Sequence, residues 1–305
     1  MTHPARRPPA VLIVNPNAGR LSEGTREGVI AALRARFAIE ALSTTARDTG
    51  ITLSAEAAEA GHELVIAFGG DGHVNEVVNG LAGTESSLGI IPGGTMNVFA
   101  RALGVDMNPF RAIERLHAAA RGPSRIVPLG QMGERYFTFS AGCGFDAEAA
   151  ERVERYVPAK RRMGELWFYW SAIRVLLGTY RHRSPSMTLR GPFGQVPVAM
   201  GIACNTGPYA YIGGRPVILA PRVALDGGLD IFALKSMRME ALPRYAWRVM
   251  SSDLTDHPDV FYESDLEWFE LSAPVPFSRH VDGEPLPPSR VASFRSVPGI
   301  LRVKV

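Results

Sequence analysis

Three short glycine loops carry the residues best suited to chemistry. "NPNAGR" beginning at Asn15, "GGDG" beginning at Gly69 and "PGGT" beginning at Pro92 each follow an apolar run and precede residues with helical spacing. Glycine lets the backbone approach a ligand closely and adopt positive φ, and the helix that follows offers unpaired N–H groups to an anion. Each loop adds polar side chains suited to a shared crevice: Asn15 and Asn17, Asp71 and Asn75, Thr95 and Asn97. Together they suggest a phosphate site. Asp71 constrains that reading, because an acid sits poorly beside phosphate unless a cation lies between them. It implies Mg²⁺ or proton transfer, or else it caps the helix beginning at His73. No Gly-Lys pair occurs in the chain, so a Walker-type loop is excluded. "GCGFDA", starting at Gly142, matches a relaxed dinucleotide fingerprint, but it sits among strands and is disfavoured.

The elements that must position these loops are readable from apolar spacing. "AVLIV" leads to a helix over 23–37. "ELVIAF" leads to one with Val74, Val77, Val78 and Leu81 on one face. "LGII" leads to one with Met96, Phe99, Ala100 and Leu103 inward, stopped by Gly104. Continuous apolar strands alternating with amphipathic helices predict a doubly wound α/β domain, in which loops at the carboxyl ends of the strands converge on one crevice. From about residue 128 the pattern changes to alternating strands and turn residues, as in an antiparallel β-sandwich. The expected domains are therefore 1–127 and 128–305. A helical insertion over 147–180 interrupts the second, and its residues 166–177 join Trp167 and Trp170 to many aliphatic side chains beside Lys160, Arg161 and Arg162. That stretch is read as a core helix with a solvated basic end, or as a surface for an anionic membrane.

Composition narrows the setting. The chain has 305 residues, 46% of them hydrophobic, and a net charge of +3 in which lysine contributes only Lys160, Lys235 and Lys304. So weak and dispersed a charge suits anionic small ligands or a membrane surface and gives no case for nucleic acid. Cys143 and Cys204 lie in separate apolar strands, which suggests buried thiols and no disulfide or zinc site. The start "MTHPARRPPA" lacks a signal-peptide core, and no run reaches the ~18 apolar residues of a membrane span. A cytoplasmic protein is expected, at most peripheral at the inner face of the membrane. Oligomeric state is not legible, and a homodimer is left open.

The ordered set "NPNAG", "TT" at Thr44 and Thr45, "GGDGHVNEVVNGL", "IPGGTMNVFARALG", "AGCGFDAE", "LDGGLDIF" and "VDGE" resembles the diacylglycerol kinase catalytic domain superfamily, which includes bacterial lipid kinases and sphingosine and ceramide kinases. The resemblance spans most of the chain. It implies an ATP- and Mg²⁺-dependent lipid kinase whose nucleotide domain and β-sandwich enclose a cleft where ATP meets a lipid hydroxyl. The diacylglycerol-like acceptor would place it in phospholipid metabolism. It further implies that the last segment, "GILRVKV", can return to the first domain. Carried over by position, the ATP contacts are Asn15, Pro16, Asn17, Ala18, Gly19, Arg20, Thr44, Gly69, Gly70, Asp71, Gly72, His73, Val74, Asn75, Gly94 and Thr95. Glu284 of "VDGE" is the implied proton acceptor; from the bare sequence the segment is only a turn signal. A second magnesium would use Ala224, Gly227 and Leu229, with backbone carbonyls at the first and last.

Three departures from the family pattern matter. His73 stands where threonine is common, and its imidazole can donate to phosphate. Gly227 stands where an aspartate often supplies a metal ligand, so Asp226 or Asp230 would have to substitute. Arg20 replaces lysine or serine and keeps a positive fork for phosphate oxygens. An NAD kinase, which shares the "GGDG" logic, and a non-catalytic nucleotide- or lipid-binding homologue are the alternatives. "NPNAG", "PGGTMNVFAR" and "VDGE" together disfavour the first.

Overall fold

Apolar runs in the first third of the chain become parallel strands. The computed structural model describes residues 7–16, 22–144, 147–148, 187–212, 215–236, 255 and 257–305. Strands β1 (Pro9–Val14), β2 (Ala38–Ser43), β3 (Leu64–Gly69) and β4 (Ser87–Pro92) lie in the order β4-β3-β1-β2, all parallel. Every residue of β3 and β4 is buried, which explains why their sequences read as unbroken apolar runs. The connecting helices are α1 (Glu23–Arg36), α2 (Thr49–Glu59), α3 (Asp71–Leu81), α4 (Val98–Ala102) and α5 (Pro109–Ala119). Val29 and Leu33 of α1 join Ile113 and Leu116 of α5 over Leu12, Ile66 and Ile91 of the sheet. Ser22 starts α1 by accepting from the Thr25 amide at 3.2 Å, and Asn108 starts α5 ahead of Pro109 in the same manner.

The chain divides into two units, Met1–Val127 with Pro298–Val305, and Pro128–Val297. Strands β5 (Arg125–Met132), β6 (Arg135–Phe137), β7 (Ser140–Cys143), β8 (Met187–Gly191), β9 (Gly194–Val198), β10 (Met200–Cys204), β11 (Ala210–Ile212), β12 (Arg215–Val217), β13 (Leu229–Leu234), β14 (Val260–Leu266), β15 (Trp268–Val281) and β16 (Glu284–Val303) follow. In the second unit they run in the order β14-β13-β10-β7-β15-β16, and every pairing along it is antiparallel. β10 and β13 are buried on both faces. Ala203, Ile231 and Ala233 enter one core with Phe269, Leu271 and Phe294, while Ile202, Cys204, Phe232 and Leu234 enter another with Val217 and Val260. Cys143 and Cys204 are buried in these two different cores and form no disulfide.

β15 changes partners along its length. Glu270, Leu271 and Ser272 pair with β8, whereas Arg279, His280 and Val281 pair with β7. Register irregularities between Ser272 and Arg279 bend the strand so that one element can serve both. β16 leaves the second unit and ends in the first, where Arg302 and Val303 pair in parallel with Ser87 and Leu88 of β4. The fold is thus α/β, with an antiparallel strand region following the parallel one.

Local boundaries differ from sequence expectation in two places. Apolar spacing puts Met96 on the inward face of the helix after "PGGT". Instead Asn97 adopts a left-handed conformation (φ 47°), α4 begins at Val98, and Met96 is 37% exposed. α3 begins at Asp71 and not at His73.

Candidate functional site

The polar loops of the first unit gather at the carboxyl ends of its strands. The Asn15 amide donates to the Phe68 carbonyl at 3.3 Å, which joins the loop after β1 to the end of β3. The Thr44 amide donates to the Val14 carbonyl at 3.0 Å, and its hydroxyl lies 3.5 Å from the same oxygen. The Gly93 amide donates to the Gly69 carbonyl at 2.8 Å, joining the second and third glycine loops. A Cβ on Gly94 would sit 2.6 Å from the Gly70 Cα, so these two loops meet backbone to backbone and glycine is required there.

Asp71 and Asn97 fix this junction. Asp71 Oδ1 accepts from the Val98 amide at 2.6 Å, so the carboxylate caps α4 across the junction. Asn97 was expected to face the crevice. Instead its Oδ1 accepts from the Gly94 amide at 3.0 Å and its Nδ2 donates to the Gly94 carbonyl at 2.8 Å, locking the "PGGT" turn. Thr95 remains exposed on that turn, and Gly70, Asp71 and Gly72 are partly exposed. The N-cap of α3 is Gly70, which has no side chain to cap with, and the dipole at this helix N-terminus favours an anion.

His73 is turned inward. Its Nε2 lies 3.0 Å from the Ile13 carbonyl, the residue is 5% exposed, and its ring fills the space where a Gly69 side chain would be. Burial lowers the imidazole pKa, which keeps it neutral. The phosphate donor that the sequence offered here is a brace between β1 and α3. Val74 and Asn75 are also buried, and Asn75 accepts from Asn79 through its side-chain and main-chain oxygens. Asn17, Ala18, Gly19 and Arg20 lie outside the described residues, as does the expected membrane-facing helix with Lys160, Arg161, Arg162, Trp167 and Trp170. Pro16 is exposed, and its carbonyl accepts from the Arg26 guanidinium of α1, a cation beside the loop that no motif marked.

Glu284 belongs to the second unit. It is the first residue of β16 and pairs with Val281 across a two-residue hairpin turn, where Asp282 and Gly283 both have positive φ (47° and 82°). The turn signal in "VDGEP" is therefore real. Glu284 itself is partly exposed at the mouth of the hairpin. "GCGFDA" begins within β7, whose partners β10 and β15 both run antiparallel to it, so it lacks the parallel βαβ setting a dinucleotide fingerprint needs.

The turn through 224–229 does not fit the implied second magnesium. The Ala224 carbonyl accepts from the Gly227 amide at 3.0 Å, and Asp265 Oδ1 accepts from the Gly228 amide at 2.7 Å. Asp230 is buried with Oδ1 taking the Asp265 amide and Oδ2 the Tyr262 hydroxyl. Burial raises the Asp230 carboxyl, and burial followed by this hydrogen bond pushes Tyr262 up to about 12. Asp226 is exposed. Asp230 and Asp265 are committed to protein donors and position 227 has no side chain, so the turn lacks the hard ligand that an aspartate there would supply. Among the described residues no three His, Cys, Asp or Glu side chains cluster to hold a metal.

Comparison with known proteins fits this architecture. The sequence profile of the diacylglycerol kinase catalytic domain matches residues 9–131. A probable YegS-like lipid kinase of Chromohalobacter salexigens is 32% identical over 295 residues, covering 90% of this chain and 86% of that protein. The chain belongs to the diacylglycerol kinase family of lipid kinases. The diacylglycerol kinase of Bacillus subtilis is another relative of this lipid kinase, 29% identical over 260 residues, covering 83% of this chain and 82% of that one. A solved diacylglycerol kinase from Bacillus anthracis superposes on it with a TM-score of 0.74 at 26% identity, covering 97% and 96% of the two chains. Membership makes it a kinase-type transferase. Among the described residues no helix of this lipid kinase is long and apolar enough to cross a membrane.

Proposed function

We propose that this lipid kinase transfers the γ-phosphoryl group of ATP, supplied with its magnesium, to the hydroxyl of a diacylglycerol-like lipid. The supporting observation is the backbone-to-backbone junction of Gly70 and Gly94, fixed by Asp71 on Val98 and Asn97 on Gly94. Such a junction opens the N-terminus of α3 without bulky side chains beside it, which suits the β- and γ-phosphates of a nucleotide. Gly69, Gly72 and Thr95 border it, while Asn15 is joined to the end of β3 and Thr44 to the end of β1. The relatives' names as lipid or diacylglycerol kinases supply the acceptor class.

Phosphoryl transfer demands little covalent work from protein, and catalysis comes mostly from positioning and charge stabilisation. In this reading the α3 amides hold phosphate oxygens, and Asp71, anchored through one oxygen, orients the bound nucleotide complex. Glu284 accepts the lipid hydroxyl proton as the oxygen attacks phosphorus and the bond to ADP breaks. Arg26 adds positive charge beside the first loop. His73 and Asn75 support the site from within and do not touch ligand. The turn at 224–229 is held by protein donors.

The test is transfer from labelled ATP to a panel of diacylglycerol, monoacylglycerol, ceramide and sphingosine in mixed micelles, with NAD as a soluble competitor. Labelled phosphatidic acid is the expected product. Phosphorylated NAD alone would replace the lipid reading, and ATP binding without transfer to any acceptor would leave a binding protein. Glu284→Gln is expected to lower kcat by about 10²- to 10⁴-fold while ATP affinity stays within twofold. Retained turnover would remove Glu284 as the base.

A further inference from the structure

The aspartate two residues before Glu284 is a buried carboxylate that accepts four hydrogen bonds. Asp282 Oδ2 accepts from the Thr138 amide at 2.7 Å and the Thr138 hydroxyl at 2.7 Å. Its Oδ1 accepts from the amides of Phe139 at 2.9 Å and Ser140 at 3.1 Å. Its own amide donates to the Ser140 carbonyl at 2.7 Å, which closes the loop from both directions. The residue is 5% exposed and holds a left-handed backbone (φ 47°), a conformation that costs free energy for a non-glycine residue unless surroundings enforce it.

Those surroundings are themselves rigid. Asn205 Nδ2 donates to the Thr138 carbonyl at 2.9 Å, and its amide donates to Phe139 at 2.8 Å. On the other side of the turn the Gly283 amide donates to Nδ1 of buried His280 at 3.2 Å. Segment 138–140 is thus pinned to β10, the hairpin tip is pinned to segment 138–140, and Glu284 leaves the tip two residues later. Burial raises the Asp282 carboxyl, while the donors of Thr138, Phe139 and Ser140 oppose that rise.

We propose that Asp282 is a positioning residue for the transfer reaction: by clamping the β15–β16 turn onto residues 138–140, it sets the place and direction of the Glu284 carboxylate. This deepens the reading of Glu284 as base and rests on it. A turn this short transmits error directly, because releasing the tip lets the next residue move, and a shift of about 1 Å in a reacting group costs roughly 10²-fold in rate. Buried polar anchors of this kind are retained where a single geometry is needed.

The experiment is a double-mutant cycle on the full chain, with Mg-ATP and diacylglycerol in mixed micelles. Asp282→Asn keeps the side-chain size and should lower kcat by about 30- to 100-fold, leave KM for ATP within twofold, and quicken amide hydrogen exchange at Phe139 and Ser140. In a Glu284→Gln background the same change should add less than twofold, because the group it positions is gone. Normal kcat in Asp282→Asn while Glu284→Gln is inactive would overturn the clamp and leave the base intact. Normal kcat in Glu284→Gln would overturn the base. A multiplicative loss in the double mutant would show that Asp282 acts through something other than Glu284, and would overturn the inference. Should Asp282→Asn melt below the assay temperature, Thr138→Val takes its place. It removes one of four donors, and a roughly threefold fall in kcat is expected. An unchanged kcat would count against the clamp.

Discussion

Asp71 and Asp282 each precede a glycine, each lies in its own structural unit, and the two are used in opposite ways. Asp71 is partly exposed and anchors through one oxygen to Val98. Asp282 is buried and takes four donors. In the parallel unit, glycines bring the main chain of two loops together beside the N-terminus of α3. In the antiparallel unit, the polar atoms of the hairpin are consumed by neighbouring strands. The contrast separates two uses of one residue type: a buried carboxylate held by three amides and a hydroxyl orders the chain, whereas a partly exposed one at a helix N-terminus between two glycines stays within reach of a ligand.

The largest expected effect tests the glycine junction. Gly94→Ala places a methyl group 2.6 Å from the Gly70 Cα, so backbone must move. Loss of kcat/KM for ATP by roughly 10²-fold or more is expected. Titration calorimetry with ATP should show lost affinity. Normal affinity would mean that the junction does not face the nucleotide.

Asp71→Asn sharpens the comparison next. Asparagine can still accept from Val98, so the melting temperature should stay within about 2 °C while kcat falls by roughly 10²-fold. Equal falls in both would make Asp71 a cap and nothing more. Asp71→Ala should cost about 1 kcal/mol of stability by denaturant titration, since the cap is lost.

His73 tests the interior of the same unit through pH. Its folded pKa is lowered, so the unfolded chain binds a proton first as pH falls below about 6.5. Proton uptake by the unfolded state reduces stability below that value, and stability rises again as pH returns upward through it. His73→Gln should flatten the part of the slope between pH 5 and 7 in denaturant titrations. An unchanged slope would place the titration elsewhere.

The smallest effect concerns the turn at 224–229. A Cβ on Gly227 would lie 3.4 Å from the Ala224 carbonyl and 3.5 Å from Asp265 Oδ1, so a side chain fits. Gly227→Asp should make the melting temperature rise by a few degrees with millimolar Mg²⁺, while the natural protein responds less. A large Mg²⁺ response in the natural protein would show that the turn already holds the ion.

Much of the parallel unit was legible because β1, β3 and β4 are buried on both faces and their loops are built from glycine. β2 escaped because it is an edge strand whose "AIEALS" is mostly exposed and carries no apolar run. α4 was started too early because nothing in Asn97 announces a left-handed backbone. Asp282 gave only a turn signal, since its four donors come from residues about 140 positions earlier in the chain. Glu76 was silent for the same reason. Its carboxylate accepts from the amides of Asp48 and Gly50 at 2.9 Å each and starts α2 from another helix. Long-range hydrogen bonds leave no period in a sequence.

The return of β16 to β4 has a consequence for biosynthesis. The outer edge of β4 waits for residues near 300: the Gly83 amide needs the Ile300 carbonyl at 2.8 Å, and the Lys304 amide needs the Leu88 carbonyl at 2.9 Å. On the ribosome, more than 200 residues must emerge between this strand and its neighbour, so the nucleotide-side sheet cannot be finished until translation has passed the entire antiparallel unit. A fragment cut at residue 131, where the family profile stops, would expose that edge to other chains, and aggregation is the expected fate of such a piece.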